Sequence, residues 1–284
     1  MAEQNSSSPL VRKMNLLKLL DIRKLPGPFL IVAPHPDDDV LGTGGLIQIA
    51  KSLGKTIYVL YITAGDANGN SVTHYLHKPL LPRYFRKLGY VRHNEAVRAE
   101  GFLGVPKSHL FFLGFPDSIS DKIITDPNMN RVHQSPVTKL SRAAYSFAYH
   151  RNAPYTHRAI LQLTKSVLRR TRPGTIFVTL RQDLNPDHMA APILMEQAVP
   201  QLGIHPDFYS YLIHYPNWPN LAGPLLPPAG LRIKNPVTLP LTSTQLKRKR
   251  TAFFSMMRSQ ASPFYLKFFH HNELFWGSGT NLPS

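Results

Sequence analysis

Cysteine is absent from this chain of 284 residues. Its absence excludes disulfide scaffolds, cysteine-ligated zinc fingers and thiol nucleophiles, so any metal site must be built from His, Asp or Glu. Acidic residues are also scarce, because 16 Asp and Glu stand against 33 Lys and Arg, a formal net charge of +17. So positive a chain favours an anionic partner, although a solvated basic surface is an equally good interpretation.

Long apolar runs are missing as well. No segment approaches the ~20 apolar residues that a membrane-spanning helix needs, and the first nine residues are polar, unlike a signal peptide. We therefore expect a cytoplasmic protein, for which the positive charge leaves a peripheral contact with a membrane open. The basic residues are scattered and match no recognised nucleic-acid motif, so we expect no specific nucleic-acid partner. The sequence leaves the oligomeric state unknown.

The chain does contain a regular alternation of apolar runs and helical segments. The runs at 29–33, 56–63, 109–113 and 175–180 are typical of strands buried on both faces of a parallel sheet. Helices are predicted from about Leu46 to Gly54, over 83–103 and over 164–172. This alternation predicts a single α/β domain with a Rossmann-like, doubly wound, mostly parallel sheet flanked by helices.

The domain organisation is predicted from the segments outside this alternation. Residues 1–25 are expected to form a tail and an amphipathic helix (10–25), packed on the domain or a partner subunit, or lying on a membrane. Residues 26–284 form the domain, with a loop insertion at about 117–156 and a proline-rich surface segment at 215–240. The basic run 247–250 predicts a solvated helix face or a contact with an anionic partner.

The strongest chemical signal follows the first apolar run. His35, Asp37, Asp38 and Asp39 stand within five residues at the end of a predicted strand, where ligands of open α/β sheets bind. Adjacent carboxylates raise one another's pKa unless a cation neutralises them, and a helix cap explains only one of the three. The cluster therefore predicts a metal or catalytic site.

A second polar cluster, Asp183 to His188, follows the run at 175–180. Asn185 and Pro186 are a good helix start, but His188 has no such structural explanation. Opposite His35 and Asp38, it is a plausible third ligand. Two histidines and one carboxylate suit catalytic zinc or non-haem iron, and a carboxylate that is not a ligand can serve as general base.

These clusters resemble the motifs of the LmbE-like family, also called the PIG-L deacetylases, over roughly residues 29–260. The family's A-H-P-D-D-E-type motif falls on residues 34–39 and its H-P-D-H motif on 185–188. The resemblance implies one Zn2+ per chain, or another divalent metal, bound by His35, Asp38 and His188, with Asp37 as general base. It implies removal of the N-acetyl group from an N-acetylglucosamine-type sugar in a glycan, glycolipid or glycoconjugate. An anionic or lipid-linked substrate is compatible with it.

Weaker matches lie between the two motifs. Residues 63–66 resemble the family's T-x-G-x loop, Arg92 to Glu95 its R-x-x-E helix, and Asp117 the aspartate of its sugar pocket. The resemblance implies that Arg92 and Asp117 hold sugar hydroxyls or a substrate anion. From the residues alone, an Arg92–Glu95 pair on a helix surface and a turn role for Asp117 are equally open.

Two positions depart from the family pattern. Asp39 replaces a glutamate, which would shorten any support that this acid gives. Asn185 replaces a histidine; an amide can donate a hydrogen bond to an oxyanion but cannot deliver a proton. Asn185 is therefore either a weak oxyanion donor or only a helix cap. His214, at the end of a predicted strand, is the candidate for supplying the proton, with a packed structural histidine as the alternative.

Two other functions account for individual features of the sequence. A non-catalytic relative that binds metal and a glycan or anionic ligand would explain Asn185 as a mark of lost catalysis. A dinucleotide-binding enzyme is disfavoured because residues 42–45 lack the G-x-G-x-x-G spacing and follow an acidic cluster that would repel pyrophosphate.

Overall fold

A computed structural model describes residues 17–279 of the chain. Eight strands form one sheet in the order β1-β7-β8-β6-β5-β2-β3-β4. The strands are β1 Lys18–Leu19, β2 Phe29–Ala33, β3 Ile57–Thr63, β4 Leu110–Phe115, β5 Thr175–Thr179, β6 Asp207–Tyr211, β7 Pro236–Pro240 and β8 Asn272–Gly279. All neighbouring strands are parallel except β8, which is antiparallel to both β6 and β7.

Helices cover both faces of this sheet. They are α1 Asp38–Ser52, α2 Pro82–Leu103, α3 Ser120–Ile124, α4 His157–Thr171, α5 Pro186–Ala198 and α6 Ser243–Thr251. The predicted single-domain, doubly wound, mostly parallel α/β fold is confirmed. Within the described range, no helix combines the length and apolar character needed to cross a membrane.

Strand β2 shows why the sheet needs helices on both sides. All five of its residues are buried. Phe29, Ile31 and Ala33 belong to the core that α1 and α2 cover, whereas Leu30 and Val32 belong to the core beneath α4 and α5. Alternate side chains of a strand point to opposite faces, so a wholly apolar strand is stable only when both faces are buried.

The sheet places the two polar clusters side by side. Strands β2 and β5 are hydrogen-bonded neighbours, but the chain continues outward from β2 to β3 and from β5 to β6. This is a topological switch point, where a crevice opens at the carboxyl ends of the strands. The segments containing His35 and His188 both border that crevice.

Helix α1 begins earlier than predicted, at Asp38 rather than near Leu46. Its glycines are part of the helix and permit close packing. A Cβ atom added to Gly42 would lie 2.3 Å from the ring of Tyr211, and one added to Gly45 would lie 2.3 Å from Leu241. Each glycine costs about 1 kcal/mol relative to alanine in a helix, so the glycines here serve the packing of α1 on its neighbours.

Three other boundaries differ from the prediction. Residues 17–25 form β1 and a 3-10 turn, Ile22–Lys24, so the helix predicted for 10–25 is wrong there; residues 10–16 lie outside the described part. The surface segment predicted for 215–240 ends in β7, which lies between β1 and β8. Helix α4 starts at His157 rather than at 164, because the Thr156 hydroxyl accepts a hydrogen bond from the Ala159 amide (3.1 Å).

The basic run in α6 is only partly a solvated face. Lys249 is 2% exposed, and its Nζ lies 2.6 Å from Glu273 Oε1. The Glu273 carboxylate also accepts hydrogen bonds from the amides of Gly45 and Leu46 in α1, each 2.7 Å long. Lys249 therefore ties α6 and β8 to the helix that carries Asp38.

The segment 117–156 is irregular apart from α3. It is nevertheless anchored in the core, because Tyr145 and Tyr155 are 1% and 0% exposed. The Tyr145 hydroxyl donates to Asp66, and the Tyr155 hydroxyl donates to the carbonyl oxygen of Gly114. These buried contacts fix the predicted loop insertion to the body of the domain.

Candidate metal and catalytic site

The three predicted metal ligands converge in the crevice. His35 Nδ1, Asp38 Oδ2 and His188 Nε2 lie 3.1 Å from one another in all three pairs. Ligand atoms around a tetrahedral zinc ion with bonds of ~2.0–2.1 Å are separated by roughly 3.3–3.4 Å. All three side chains are buried. The triad therefore fits one small divalent cation.

Each histidine of the triad has a carboxylate behind it. His188 Nδ1 lies 3.2 Å from Asp183 Oδ2, and His35 Nε2 lies 3.1 Å from Asp187 Oδ2. A proton on the nitrogen that faces each of these carboxylates leaves the other ring nitrogen free to bind a metal. Such carboxylate–histidine pairs orient metal ligands and raise their basicity.

The charge distribution of the cluster also favours a cation. Burial alone would lower the pKa of His188, but Asp38 and Asp183 raise it to about 10. Burial opposes a charge on His35 too, yet Asp117 and Asp187 raise its pKa well above the ordinary value. Burial is also outweighed at Asp38, where His188 and His35 hold the pKa well below the usual range. The carboxylates thus stabilise positive charge at the centre of the triad.

Asp37 is held by an arginine. The guanidinium of Arg92 donates to Asp37 Oδ1 (2.7 Å) and to the carbonyl oxygen of Gly65 (2.8 Å). Gly65 has φ +61°, and a Cβ there would lie 2.6 Å from the guanidinium, so this position requires glycine. Burial raises the pKa of Asp37 although Arg92 opposes it.

The alternative interpretation of Arg92 and Glu95 as a pair on a helix surface is wrong. Arg92 is 3% and Glu95 1% exposed. Glu95 instead accepts hydrogen bonds from the amide and hydroxyl of Ser259, 2.9 and 2.5 Å long. It thereby fixes the C-terminal segment that passes beside the crevice.

Asp183 and Asp187 do more than the sequence suggested. Asp183 Oδ2 accepts the backbone amides of Ile213 and His214, both at 3.0 Å. The Asp187 carboxylate, in the first turn of α5, accepts the amides of Ser118 (2.6 Å) and Ser120 (2.7 Å). Both aspartates therefore bind distant loops to the triad, a role that appears only when the chain is folded.

Asn185 caps helix α5. Its Oδ1 accepts the amide of Asp187 (2.9 Å), and the residue also lines the crevice. Because the cap uses the amide oxygen, the side-chain NH2 group remains as a hydrogen-bond donor. Capping and donation to a substrate are therefore compatible in this geometry.

His214 also lines the crevice, and its ring centroid lies 4.7 Å from that of His188. Burial, followed by the charge of His188, lowers the pKa of His214 to about 4. The imidazole is therefore neutral at neutral pH. A neutral imidazole can donate one hydrogen bond into the crevice, and the part of His214 in proton transfer stays a prediction.

Asp117 and Asp39 have different surroundings. Asp117 lines the crevice with its Oδ1 atom 3.4 Å from His35 Nε2, and its Oδ2 atom accepts the amide of Ala67 (3.0 Å). Asp39 is fully buried and accepts a 2.5 Å hydrogen bond from the Tyr61 hydroxyl. Burial raises the pKa of Asp39 to about 6, and burial beside Asp39 raises that of Glu100 well above its usual value.

The catalytic cleft, as we name the cavity that borders the triad, has a volume of ≈180 Å³. It brings together most of the residues that the sequence selected: His35, Asp37, Asp38, Arg92, Asp117, Asn185 and His214 all line it. His188 is 0% exposed and lies behind His35 and Asp38. Their roles in catalysis stay predictions.

A buried His-Asp-His triad at the switch point of a doubly wound sheet defines an α/β protein with a candidate metal centre. Residues 30–199 match the model of the family described as PIG-L: GlcNAc-PI de-N-acetylase. Since the match spans more than half of the chain, the protein belongs to the PIG-L (LmbE-like) family. No curated protein matches the chain at a significant level.

Solved structures share the fold. The A40926 pseudoaglycone deacetylase Dbv21 is 18% identical, covers 88% of this chain and 96% of its own, and superposes with a TM-score of 0.58. N,N'-diacetylchitobiose deacetylase from Pyrococcus horikoshii is 18% identical with coverages of 89% and 84% and a TM-score of 0.52. GalB, the 4-carboxy-2-hydroxymuconate hydratase of Pseudomonas putida KT2440, is 18% identical with coverages of 84% and 81% and a TM-score of 0.54. A hydratase among them means that function has to be argued from the site.

Proposed function

We propose that the protein is a metal-dependent N-deacetylase, an amidohydrolase that removes the acetyl group from an N-acetylglucosamine-type sugar. The observation that carries this proposal is the 3.1 Å triangle of His35, Asp38 and His188 beside the arginine-held carboxylate of Asp37. Membership of the PIG-L family and the deacetylases among the structural neighbours support it.

Zinc is the metal that we propose for the triad, one ion per chain, although other divalent metals have the same charge. Two imidazole nitrogens and one carboxylate oxygen form a donor set typical of catalytic zinc with an open position. A zinc ion there would lower the pKa of a water molecule towards ~7 and polarise the acetyl carbonyl.

Asp37 is the proposed general base. Burial raises its pKa, so the carboxylate can both accept the proton of the attacking water and release it to the departing amine. Arg92 holds Oδ1 at 2.7 Å, which orients the carboxylate towards the cleft. This double use of Asp37 removes the need for His214 as a proton supplier.

Asn185 and His214 are proposed to stabilise the acetyl oxygen as it gains negative charge. Asn185 offers its NH2 group and His214 the N–H of a neutral imidazole, and both residues line the cleft. Donors aimed at a developing oxyanion contribute most in a site that is shielded from water.

Asp117 is proposed to accept a sugar hydroxyl. Arg92 also lines the cleft, but two of its donor groups are occupied by Asp37 and Gly65, so its main proposed role is to position the base. The net charge of +17 supports an anionic or lipid-linked substrate and a peripheral contact with a membrane, which stay proposals.

An acetate-release screen tests the proposal. Zinc-loaded protein is incubated with N-acetylglucosamine as the free sugar, as glycosides, as an oligosaccharide and as a glycolipid. We expect release from at least one conjugate and almost none with Asp37→Asn. Bound zinc without release from any of them would favour the alternative, a non-catalytic relative that binds metal and a glycan.

A further inference from the structure

Tyr265 lines the catalytic cleft, although it lies outside residues 30–199, the part of the chain that matches the family. It belongs to a 3-10 helix, Pro263–Phe268, and its side chain is half-buried. The ring packs against Phe253 and Phe268, with ring centroids 5.1 and 6.1 Å away. Both contacts involve only the ring, so the hydroxyl is not needed to hold the side chain in place.

The segment that carries Tyr265 is fixed to the rest of the site. Gln260, which precedes it in the chain, is 4% exposed. The Oε1 atom of Gln260 accepts a hydrogen bond from Asn68 Nδ2 (2.9 Å), and its Nε2 atom donates to the hydroxyl of Ser71 (3.2 Å). The place of Tyr265 at the cleft is therefore set by buried contacts across the fold.

Several other donors that line the cleft already bind protein groups. The hydroxyl of Ser118 donates to Asp117 Oδ1 (3.1 Å), and the side-chain amides of Asn68 and Gln260 take part in the hydrogen bonds that fix the segment. Within residues 17–279, no hydrogen bond joins the Tyr265 hydroxyl to another protein group. This hydroxyl therefore remains as a donor for a substrate in the cleft.

The charges of the catalytic groups act on the Tyr265 hydroxyl. Burial, followed by the charge of Asp37, raises its pKa well above the ordinary value, while Arg92 opposes the rise. The hydroxyl therefore keeps its proton at neutral pH and serves as a donor rather than as a base. Among the charged side chains, Asp37 has the largest influence, which indicates that the hydroxyl is on the side of the cleft where this carboxylate acts.

The proposed reaction creates a new acceptor on that side. The nitrogen of a planar amide shares its lone pair with the carbonyl group and accepts no hydrogen bond. When water adds to the carbonyl carbon, the nitrogen regains a basic lone pair, and Asp37 is the group proposed to protonate it. A hydrogen bond to this nitrogen therefore forms only as the transition state is reached, which is the kind of interaction that accelerates a reaction.

We propose that Tyr265 is a catalytic residue whose hydroxyl donates a hydrogen bond to the substrate nitrogen as its lone pair develops. The proton that the departing amine keeps comes from Asp37, and Tyr265 retains its own. This role rests on the proposed deacetylase function. It assigns part of the catalysis to a segment beyond the family match.

Tyr265→Phe tests the role, because phenylalanine keeps the ring and removes only the hydroxyl. For the conjugate that the wild type hydrolyses best, we expect kcat to fall about tenfold, as for loss of one hydrogen bond. KM and zinc content should stay unchanged, because the planar amide makes no use of the donor. Tyr209→Phe is the matched control: Tyr209 is half-buried, packs on Phe177 (5.7 Å between ring centroids) and does not line the cleft.

The pattern of the constants decides between the roles. A higher KM with unchanged kcat would mean that the hydroxyl binds the substrate before the reaction, and would overturn the proposal. Loss of zinc in Tyr265→Phe, or constants equal to those of Tyr209→Phe, would overturn it as well, while turnover by the wild type leaves the deacetylase function intact. Absence of hydrolysis in the wild type would contradict the deacetylase function itself and the role of Tyr265 with it.

Discussion

The catalytic cleft lies beside a larger cavity, which is lined by residues of the turn at 68–75 and of the segment 258–265. The two cavities differ in charge, in exposure and in the part of the chain that forms them. Asp37, Asp38 and Asp117 line the cleft and are at most 8% exposed, whereas Arg258 in the larger cavity is exposed. The triad lies within the family match, 30–199, but the wall at 258–265 lies beyond it. Bond cleavage requires buried, oriented groups at strand ends, while substrate selection can reside on surface segments.

Replacing Asp37, the proposed general base, should give the largest fall in turnover. In Asp37→Asn we expect kcat to fall by ~10²–10⁴ because an amide cannot accept the proton, while zinc content stays at the wild-type level. In Asp38→Asn we expect zinc itself to be lost. Kinetics and metal analysis on the same preparations separate the two roles, and equal metal loss in both variants would contradict this division.

Asn185 tests whether a helix cap can also serve catalysis. Asp caps a helix about as well as Asn, so Asn185→Asp should fold and keep its metal. A carboxylate facing the developing oxyanion should lower kcat by at least ~10², the usual effect of losing an oxyanion donor. Turnover near that of the wild type, with unchanged zinc, would leave Asn185 with the cap alone.

Asp183, whose carboxylate pairs with the His188 ring, should affect the affinity for the metal. In Asp183→Asn we expect zinc affinity to fall by roughly 10- to 100-fold, as for other carboxylates behind ligand histidines. Asp126→Asn is the matched control, a buried aspartate outside the cleft. Competition with a chelator measures both affinities, and equal values would show that Asp183 does not support the ligand.

Replacing Asp66 should affect the stability of the fold rather than catalysis or metal binding. Burial, followed by the charge of Asp117, raises its pKa to about 7, above the ~3.9 of an unfolded aspartate. Between these values the folded state holds the extra proton, so the free energy of unfolding falls as pH rises, by up to ~1.4 kcal/mol per unit.

Urea unfolding of metal-free protein at pH 5 and pH 7 measures this slope. We expect Asp66→Asn to lose less stability than the wild type between the two values, because the amide does not titrate. Parallel losses in the two proteins would show that Asp66 does not carry the dependence.

The sequence predicted the parts of the site that are local in the chain. His35 and Asp38 follow one apolar run and His188 another, and the parallel sheet brings the ends of both runs together. It could not predict that Arg92 would hold Asp37, or that Asp187 would accept the amides of Ser118 and Ser120, because these contacts join segments far apart in the chain.

The fold shows the same limit. Buried strands such as β2 were predicted from continuous apolar residues, whereas β7 has prolines at both ends and reads locally as an extended surface segment. It becomes a strand because β1 and β8 flank it. The segment 258–265 is held against α2 by the hydrogen bond from the Ser259 amide to Glu95. No local sequence pattern predicts this contact.

Metal content gives the most direct test of the proposed centre. Purified protein equilibrated with zinc and then passed through a desalting column should retain about one ion per chain, and His35→Ala and His188→Ala should each lose it. His205→Ala, which removes an exposed histidine outside the cleft, should retain it. Full occupancy in both triad variants would contradict the metal centre on which the proposed function rests.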